Sequence, residues 1–392
     1  MRRLILDSPQ TVIQELARIG VDRDAYPLFV NKAQSTILKF DDLSCAQANV
    51  LKQIALICGA DVAIPKTAYR GNARRKMPAI LFANLREIEK MKQRMEEQPW
   101  INSLSQQLDG MLQDTTDPHL RLGTKNISFT RTFIMGVINV TPDSFYSGSR
   151  YSTEDTVLQI ACSMERHGAD FIDIGAESSR PGSDAVSTRD ELKRLRSILP
   201  VVTKKLKIPI SIDTQKAAVA EFAIDHGATI VNDISALRSD KKMMSLVAQR
   251  KVAVVLMHIK GTPKTMQIKP HYADLMAEMH EYFTKRMECA LHNGVDEKCI
   301  VIDPGLGFGK RLDDNYEIIK RLKELTIFRR PILVGHSRKS FVGKPFNLPP
   351  EQRLEGTLAL EALLIQNGAS ILRVHDVGEA KRAARLVDRM NV

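Results

Sequence analysis

The chain has 392 residues, is 43% apolar and carries a formal net charge of +11. Its length suits about two domains, and its apolar fraction suits a globular protein with a large core. No apolar run approaches the roughly 20 residues of a bilayer span, and the opening MRRLILDSPQ is too briefly apolar for a signal peptide. A cytoplasmic protein without a membrane partner is expected.

Residues 1–125 read as a small α/β domain ending in a linker. Residues 26–40 look strand-like, and 45–58 space Ala, Leu and Ile as a helix does. Residues 61–67 and 78–82 read as two more strands around the basic turn 70–76, and 85–97 as a charged helix. The polar stretch 99–123, with Asp114-Thr115-Thr116-Asp117-Pro118, reads as the linker. Nothing here has the spacing of a catalytic set.

From residue 131 the texture changes. FIMGVINVTPDSF (133–145) is an apolar run ending at a Thr-Pro-Asp-Ser turn cluster, as expected of a strand buried on both faces in a parallel sheet. Strand-like runs recur at 171–174, 208–212, 230–232, 252–257, 300–302, 332–334 and 371–374. Amphipathic stretches follow them at 153–167, 188–206, 216–226, 274–292, 315–325, 354–366 and 378–390. This alternation predicts a (β/α)8 TIM barrel over 126–392. An open doubly wound sheet is the runner-up, weakened because no GxGxxG turn follows an early strand.

In such barrels reactive groups gather at the C-terminal strand ends. The polar residues there are Asn139, Asp173 with Glu177, Asp213, Asn232, His258, Asp303, Ser337-Arg338-Lys339, and Arg373 with His375. Each alone has a plain structural explanation: Asp213 and Asp233 as helix N-caps, Asp303-Pro304-Gly305 as a turn, His258 as a satisfied rim histidine. Polar residues at essentially every strand end are harder to explain that way.

Two chemical halves are expected. Asp213, Asn232, Asp303 and Lys339 suit a flat, amide-rich heterocycle such as a pterin, since carboxylates accept paired N–H bonds and an Asn amide both donates and accepts. Arg373, His375, Arg180 and Asn139 suit a diphosphate. Ser337–Ser340 would open a helix whose N-terminus attracts anions, and Asn139 offers an oxygen to Mg²⁺. No Ser or Cys is followed by a base in a hydrolytic arrangement, and Gly335-His336-Ser337-Arg338-Lys339 lacks the second glycine of a nucleophile elbow. The charge excess is shared, +4 in residues 1–125 and +7 beyond, and suits anionic substrates. No nucleic-acid-binding signature is present. The five cysteines include no CxxC pair, which argues against a disulfide framework or structural zinc.

FIMGVINVTPDSF, DIGAESSRPG (173–182), SIDT (211–214), NDI (232–234), MHIKGTPKTMQ (257–267), DPGLGFGK (303–310), GHSRKSFVG (335–343) and RVHDV (373–377) closely resemble the dihydropteroate synthase family. The resemblance implies a folate-pathway transferase. It would condense 6-hydroxymethyl-7,8-dihydropterin diphosphate with 4-aminobenzoate, giving 7,8-dihydropteroate and diphosphate. Carried over, Asp213, Asn232, Asp303 and Lys339 match the pterin-binding set. Asn139 matches the magnesium ligand, and Arg373 with His375 the diphosphate site. Ser179, Arg180, Pro181, Phe308, Lys339 and Ser340 match the aminobenzoate, sulfonamide-sensitive pocket. Asp213, Lys339, Asn139, Arg373 and His375 would carry catalysis. A homodimer through the barrel helices is also implied, while the first 125 residues look like an extension of unassigned role.

Tyr146, Ser147, Ser179 and His336 depart from the common family pattern. Two rival readings remain: a methyltransferase binding methyltetrahydrofolate, which needs no diphosphate site, and a non-enzymatic regulatory barrel. VTPDSF, SRKS and Arg373-x-His375 favour the synthase over the first. Intact residues at every expected site position count against the second.

Overall fold

The computed structural model describes residues 4, 8–70, 76–98, 101–112, 118–140, 153–177 and 186–390. It divides into two compact units, Met1–Thr116 and Asp117–Val392, a boundary earlier than the expected 125/126.

The first unit contains α1 (Pro9–Arg18), α2 (Tyr26–Ala33), β1 (Ser35–Leu43), α3 (Cys45–Cys58), β2 (Asp61–Ala63), β3 (Met77–Asn84), α4 (Leu85–Glu96) and α5 (Asn102–Leu112). The strands form an antiparallel sheet ordered β1-β3-β2. Leu51 and Ile54 of α3 and Ile88, Met91 and Met95 of α4 pack with Leu81 of β3 into its core. Two expectations are corrected. Residues 26–33 are helical because Pro27 occupies the first turn, where its fixed φ suits a helix. The first part of the expected linker is α5, whose Leu104 and Leu108 are buried in this core. Of the basic turn 70–76, residues 71–75 lie outside the described residues.

The second unit opens with an antiparallel hairpin, β4 (His119–Leu122) and β5 (Lys125–Ser128). The expected parallel strands follow as β6 (Phe133–Asn139), β7 (Phe171–Gly175), β8 (Ile210–Asp213), β9 (Ile230–Asp233), β10 (Ala253–Met257), β11 (Ile300–Asp303), β12 (Leu333–Gly335) and β13 (Ile371–Val374). Their order is β11-β10-β9-β8-β7-β6-β13-β12. A parallel bridge between Ile302 and Ile332 joins the two ends and closes the barrel.

The helices between them are α6 (Thr153–Arg166), α7 (Thr188–Leu195), α8 (Leu199–Lys205), α9 (Ala217–Asp225), α10 (Lys241–Arg250), α11 (Leu275–His292), α12 (Leu312–Arg321), α13 (Ser340–Gly343), α14 (Leu354–Gln366) and α15 (Val377–Met390). The single helix expected over 188–206 is two, with Pro200 in the first turn of the second.

Ile134, Ile172, Ile212, Val231, Val254, Ile302 and Leu372 pack outward against the helices. The first residues of the strands, among them Phe171, Ile230, Leu333 and Ile371, form a separate cluster with Leu120, Leu122 and Phe129. The hairpin therefore packs against the N-terminal end of the barrel and ties residues 118–129 to it. The C-terminal end is left for chemistry.

Candidate active site

Alternation along the strands turns every second side chain inward. Asn139, Gly175, Asp213 and Asn232 are successive partners in the register of β6 through β9. Asp173, two residues before Gly175, sits one layer deeper and is completely buried.

The central contact is an arginine reaching across from β13. Arg373 Nε donates to Asp173 Oδ2 at 2.6 Å, and its Nη2 donates to Asp213 Oδ2 at 2.8 Å. Asn232 Nδ2 donates to the same Asp173 oxygen at 3.0 Å. Arg373, expected with the diphosphate-binding residues, thus also touches the carboxylates expected to hold the ring. Arg373 belongs to the carboxylate cluster, because a long guanidinium arm can cross the barrel interior.

Gly175 leaves the middle of this cluster open. A Cβ there would meet Asp213 Oδ2 at 3.7 Å and Asn139 Oδ1 at 3.8 Å, so both oxygens border one small space.

On the other side, Asp303 Oδ1 accepts the Gly305 N–H at 2.7 Å. Gly305 has φ +64, and a Cβ on it would stand 2.2 Å from the His258 carbonyl oxygen, so only glycine fits. Lys339 Nζ donates to the Leu306 carbonyl and lies 4.5 Å from the centre of the Phe308 ring. Lys339 therefore meets the loop that follows Asp303 at Leu306 and Phe308. His258 is the satisfied rim histidine, its Nδ1 2.9 Å from the buried Lys310 ammonium.

Burial sets the electrostatics. It pushes the Asp213 carboxyl up to about 7, helped by Asp173, Glu191 and Asp233, although Arg373 opposes it. Asp303 is also raised by burial against the pull of Lys339. Lys339 is pushed down to about 8, chiefly by burial, and Lys310 down to about 7 for the same reason. Burial disfavours the Arg373 cation too, but Asp173 and Asp213 outweigh it and hold its pKa up.

Other expected residues fall differently. His375 is held by Ser337, whose Oγ lies 3.1 Å from its Nδ1 and accepts its backbone N–H at 3.3 Å. Arg338, in a left-handed backbone conformation, is paired with both oxygens of Asp376. Ser340 is exposed and begins α13, a four-residue turn too short to act as the expected anion-attracting helix. Asp213 and Asp233 do not cap helices. Asp233 instead accepts the N–H groups of Ser235 and Leu237 and holds a turn in which Ala236 and Leu237 are both left-handed.

Ser179, Arg180 and Pro181, and residues 141–152 with Asp143, Tyr146 and Ser147, lie outside the described residues. Glu177 Oε1 accepts the Val186 N–H at 2.7 Å, and Lys216 bridges Glu177 and Glu191. Sequence reasoning placed Asp173 among the polar strand-end residues without assigning it a ligand, and gave no role to Lys310, for which the terminal lysine of DPGLGFGK was the only signal.

The profile of the family described as pterin binding enzyme matches residues 135–375. The chain belongs to that family. It is 41% identical over 286 residues to a dihydropteroate synthase of Synechocystis sp., an alignment covering 72% of this chain and 99% of the relative. It is 33% identical over 379 residues to a protein of Helicobacter pylori named bifunctional dihydropteroate synthase/dihydropteroate reductase, covering 95% of this chain and 94% of that one. Among solved structures, a Xanthomonas albilineans dihydropteroate synthase in complex with 7,8-dihydropteroate superposes with a TM-score of 0.64 at 34% identity, covering 70% of this chain and 99% of its own. Dihydropteroate synthesis, a transferase reaction of folate biosynthesis, is accordingly the activity of this chain.

Proposed function

We propose that the barrel mouth binds the pterin ring through Asp213, Asn232, Asp303 and Lys339. Asn139, Arg373 and His375 act on the diphosphate. Ser179, Arg180, Pro181, Phe308 and Ser340 receive 4-aminobenzoate. The observation carrying this assignment is the cluster in which Asn232 and Arg373 meet at Asp173 and Arg373 also holds Asp213. A flat ring with N–H groups would meet carboxylate oxygens on one side and the Lys339 ammonium on the other.

The aryl amine is neutral at pH 7 and needs no base to become nucleophilic. The carbon–oxygen bond to diphosphate breaks ahead of bond formation between the amine nitrogen and the pterin methylene, and that nitrogen then loses one proton. Departure of the anion is the harder step. Arg373, poised between two carboxylates, and His375, fixed by Ser337, stabilise charge growing on the leaving oxygens. The ionised Asp213 favours positive charge at the methylene, which supports a dissociative displacement.

Magnesium is a proposal supported by the space above Gly175, which Asn139 Oδ1 and Asp213 Oδ2 both border. Among the described residues no group of three His, Cys, Asp or Glu side chains could hold a metal unaided. That suits a cation bound by one or two protein oxygens plus phosphate, where it would neutralise the leaving group.

A homodimer and a cytoplasmic location complete the reading; among the described residues no helix is long and apolar enough to cross a membrane. The deciding assay is diphosphate release dependent on 4-aminobenzoate. Methyl transfer from methyltetrahydrofolate without diphosphate release would reverse the choice.

A second reading rests on the length of the Helicobacter pylori match, which includes the first unit. If this chain shares the reductase activity in that name, it will convert dihydropteroate to the tetrahydro form with two electrons from a reduced nicotinamide or flavin. Absence of product with either reductant removes this reading and leaves the synthase untouched.

A further inference from the structure

Three strands meet at one carboxylate oxygen. Asp173 Oδ2, on β7, accepts from Asn232 Nδ2 of β9 at 3.0 Å and from Arg373 Nε of β13 at 2.6 Å. The other Asp173 oxygen has no hydrogen-bond partner, and neither does Asn232 Oδ1, although both atoms are buried. The residues themselves are closed off, Asp173 being 0% and Asn232 3% exposed.

A carboxylate paired with a guanidinium accepts and does not donate. Asn232 therefore has to turn its NH₂ toward Asp173, and its carbonyl oxygen faces the other way. An Asn amide in water reads donors and acceptors alike, but this one is held in a single orientation. A buried acceptor left without a donor is costly, and Asn232 Oδ1 bears that cost so that its NH₂ can hold Asp173. The same Asp173 oxygen fixes Arg373 through Nε and leaves Nη2 to Asp213.

We propose that Asp173 is a positioning residue that makes Asn232 an obligate acceptor and sets the plane of Arg373. This rests on the reading of Asn232 as part of the ring-binding site.

The test is a swap of polarity. Asp173→Asn keeps the shape, removes the charge and can donate, so it releases the Asn232 amide. Its KM for the pterin diphosphate should rise by about tenfold or more, as losing a charge-assisted bond does. Its KM for 4-aminobenzoate should stay within about twofold, a split that a general loosening of the barrel would not give. Asn232→Asp alone sets two carboxylates against each other and should be at least as impaired. The double variant Asp173→Asn/Asn232→Asp restores a donor at 173 and an acceptor at 232. It should recover pterin KM beyond either single variant.

If the double variant is no better than the singles, or Asp173→Asn keeps normal pterin KM, the proposal is overturned. The double variant keeps the charge of the cluster, so this comparison survives a fold-impaired single variant. An Asn232→Ala variant with unchanged pterin KM would instead overturn the underlying assignment of the site. Impaired Asn232→Ala beside a normal Asp173→Asn would sink the positioning role alone.

Discussion

Arg373 holds Asp213 at 2.8 Å while its Nε holds Asp173, so one guanidinium neutralises two carboxylates inside the barrel mouth. Lysine lacks the planar fork that aims Nε at Asp173 and Nη2 at Asp213, so a single ammonium cannot reproduce both contacts in this geometry. Arg373→Lys should therefore cut kcat/KM for the pterin diphosphate by about a hundredfold. Arg373→Met leaves both buried acids without a cation and should in addition lower stability by about 3–5 kcal/mol. Steady-state kinetics with thermal melting separates the two, and normal turnover in Arg373→Lys would refute the shared-clamp role.

The pH profile follows from the same cluster. Asp213, raised to about 7, is a neutral carboxyl below that value and presents a charged carboxylate with two acceptor oxygens only above it. Lys339, lowered to about 8, loses its donor charge above that value. The profile of kcat/KM for the pterin diphosphate, which reports the free enzyme, should be a narrow bell with limbs near those two values. The substrate diphosphate also titrates in this region, so the decisive comparison is Asp213→Asn. That variant should be slower throughout and should lose the acid limb contributed by the carboxyl. An unchanged acid limb would assign it to the substrate.

Asn139→Ala should act on the metal requirement rather than on the ring. The expected outcome is a rise of about tenfold in the Mg²⁺ concentration needed for half-maximal rate, with binding of a pterin lacking the diphosphate unchanged. Titration of Mg²⁺ in both proteins checks it, and equal requirements would remove Asn139 from the metal site.

The strand ends were legible because parallel strands write short apolar runs and the next polar residue falls at the mouth; Asp213, Asn232, Asp303 and Arg373 were all found that way. Asp173 was found with them, but its role was not legible, because only the three-dimensional register shows that two other strands reach it. The grouping of Arg373 with phosphate ligands followed from its charge, while its partners 160 and 200 residues earlier in the chain were invisible. In the first unit, 26–33 has the apolar content of a strand and α5 the polarity of a loop. Pro27 in one case and the burial of Leu104 and Leu108 in the other decide against those readings.

Gly305 is a backbone requirement that serves the site directly. Its N–H is the bond that Asp303 accepts, and its left-handed φ with a carbonyl 2.2 Å from any Cβ excludes other residues. Gly305→Ala should cost the left-handed penalty of about 1–2 kcal/mol plus whatever displacement of the His258 carbonyl requires. Moving that carbonyl also moves β10, because the His258 N–H donates to the Asp303 carbonyl at 2.8 Å. The variant should melt several degrees lower and bind the pterin more weakly. By contrast, Gly123→Ala shares a positive φ but meets nothing within 4 Å. It should pay only the backbone penalty, so equal losses in ring affinity for the two variants would show that the turn at 305 has no special hold on Asp303.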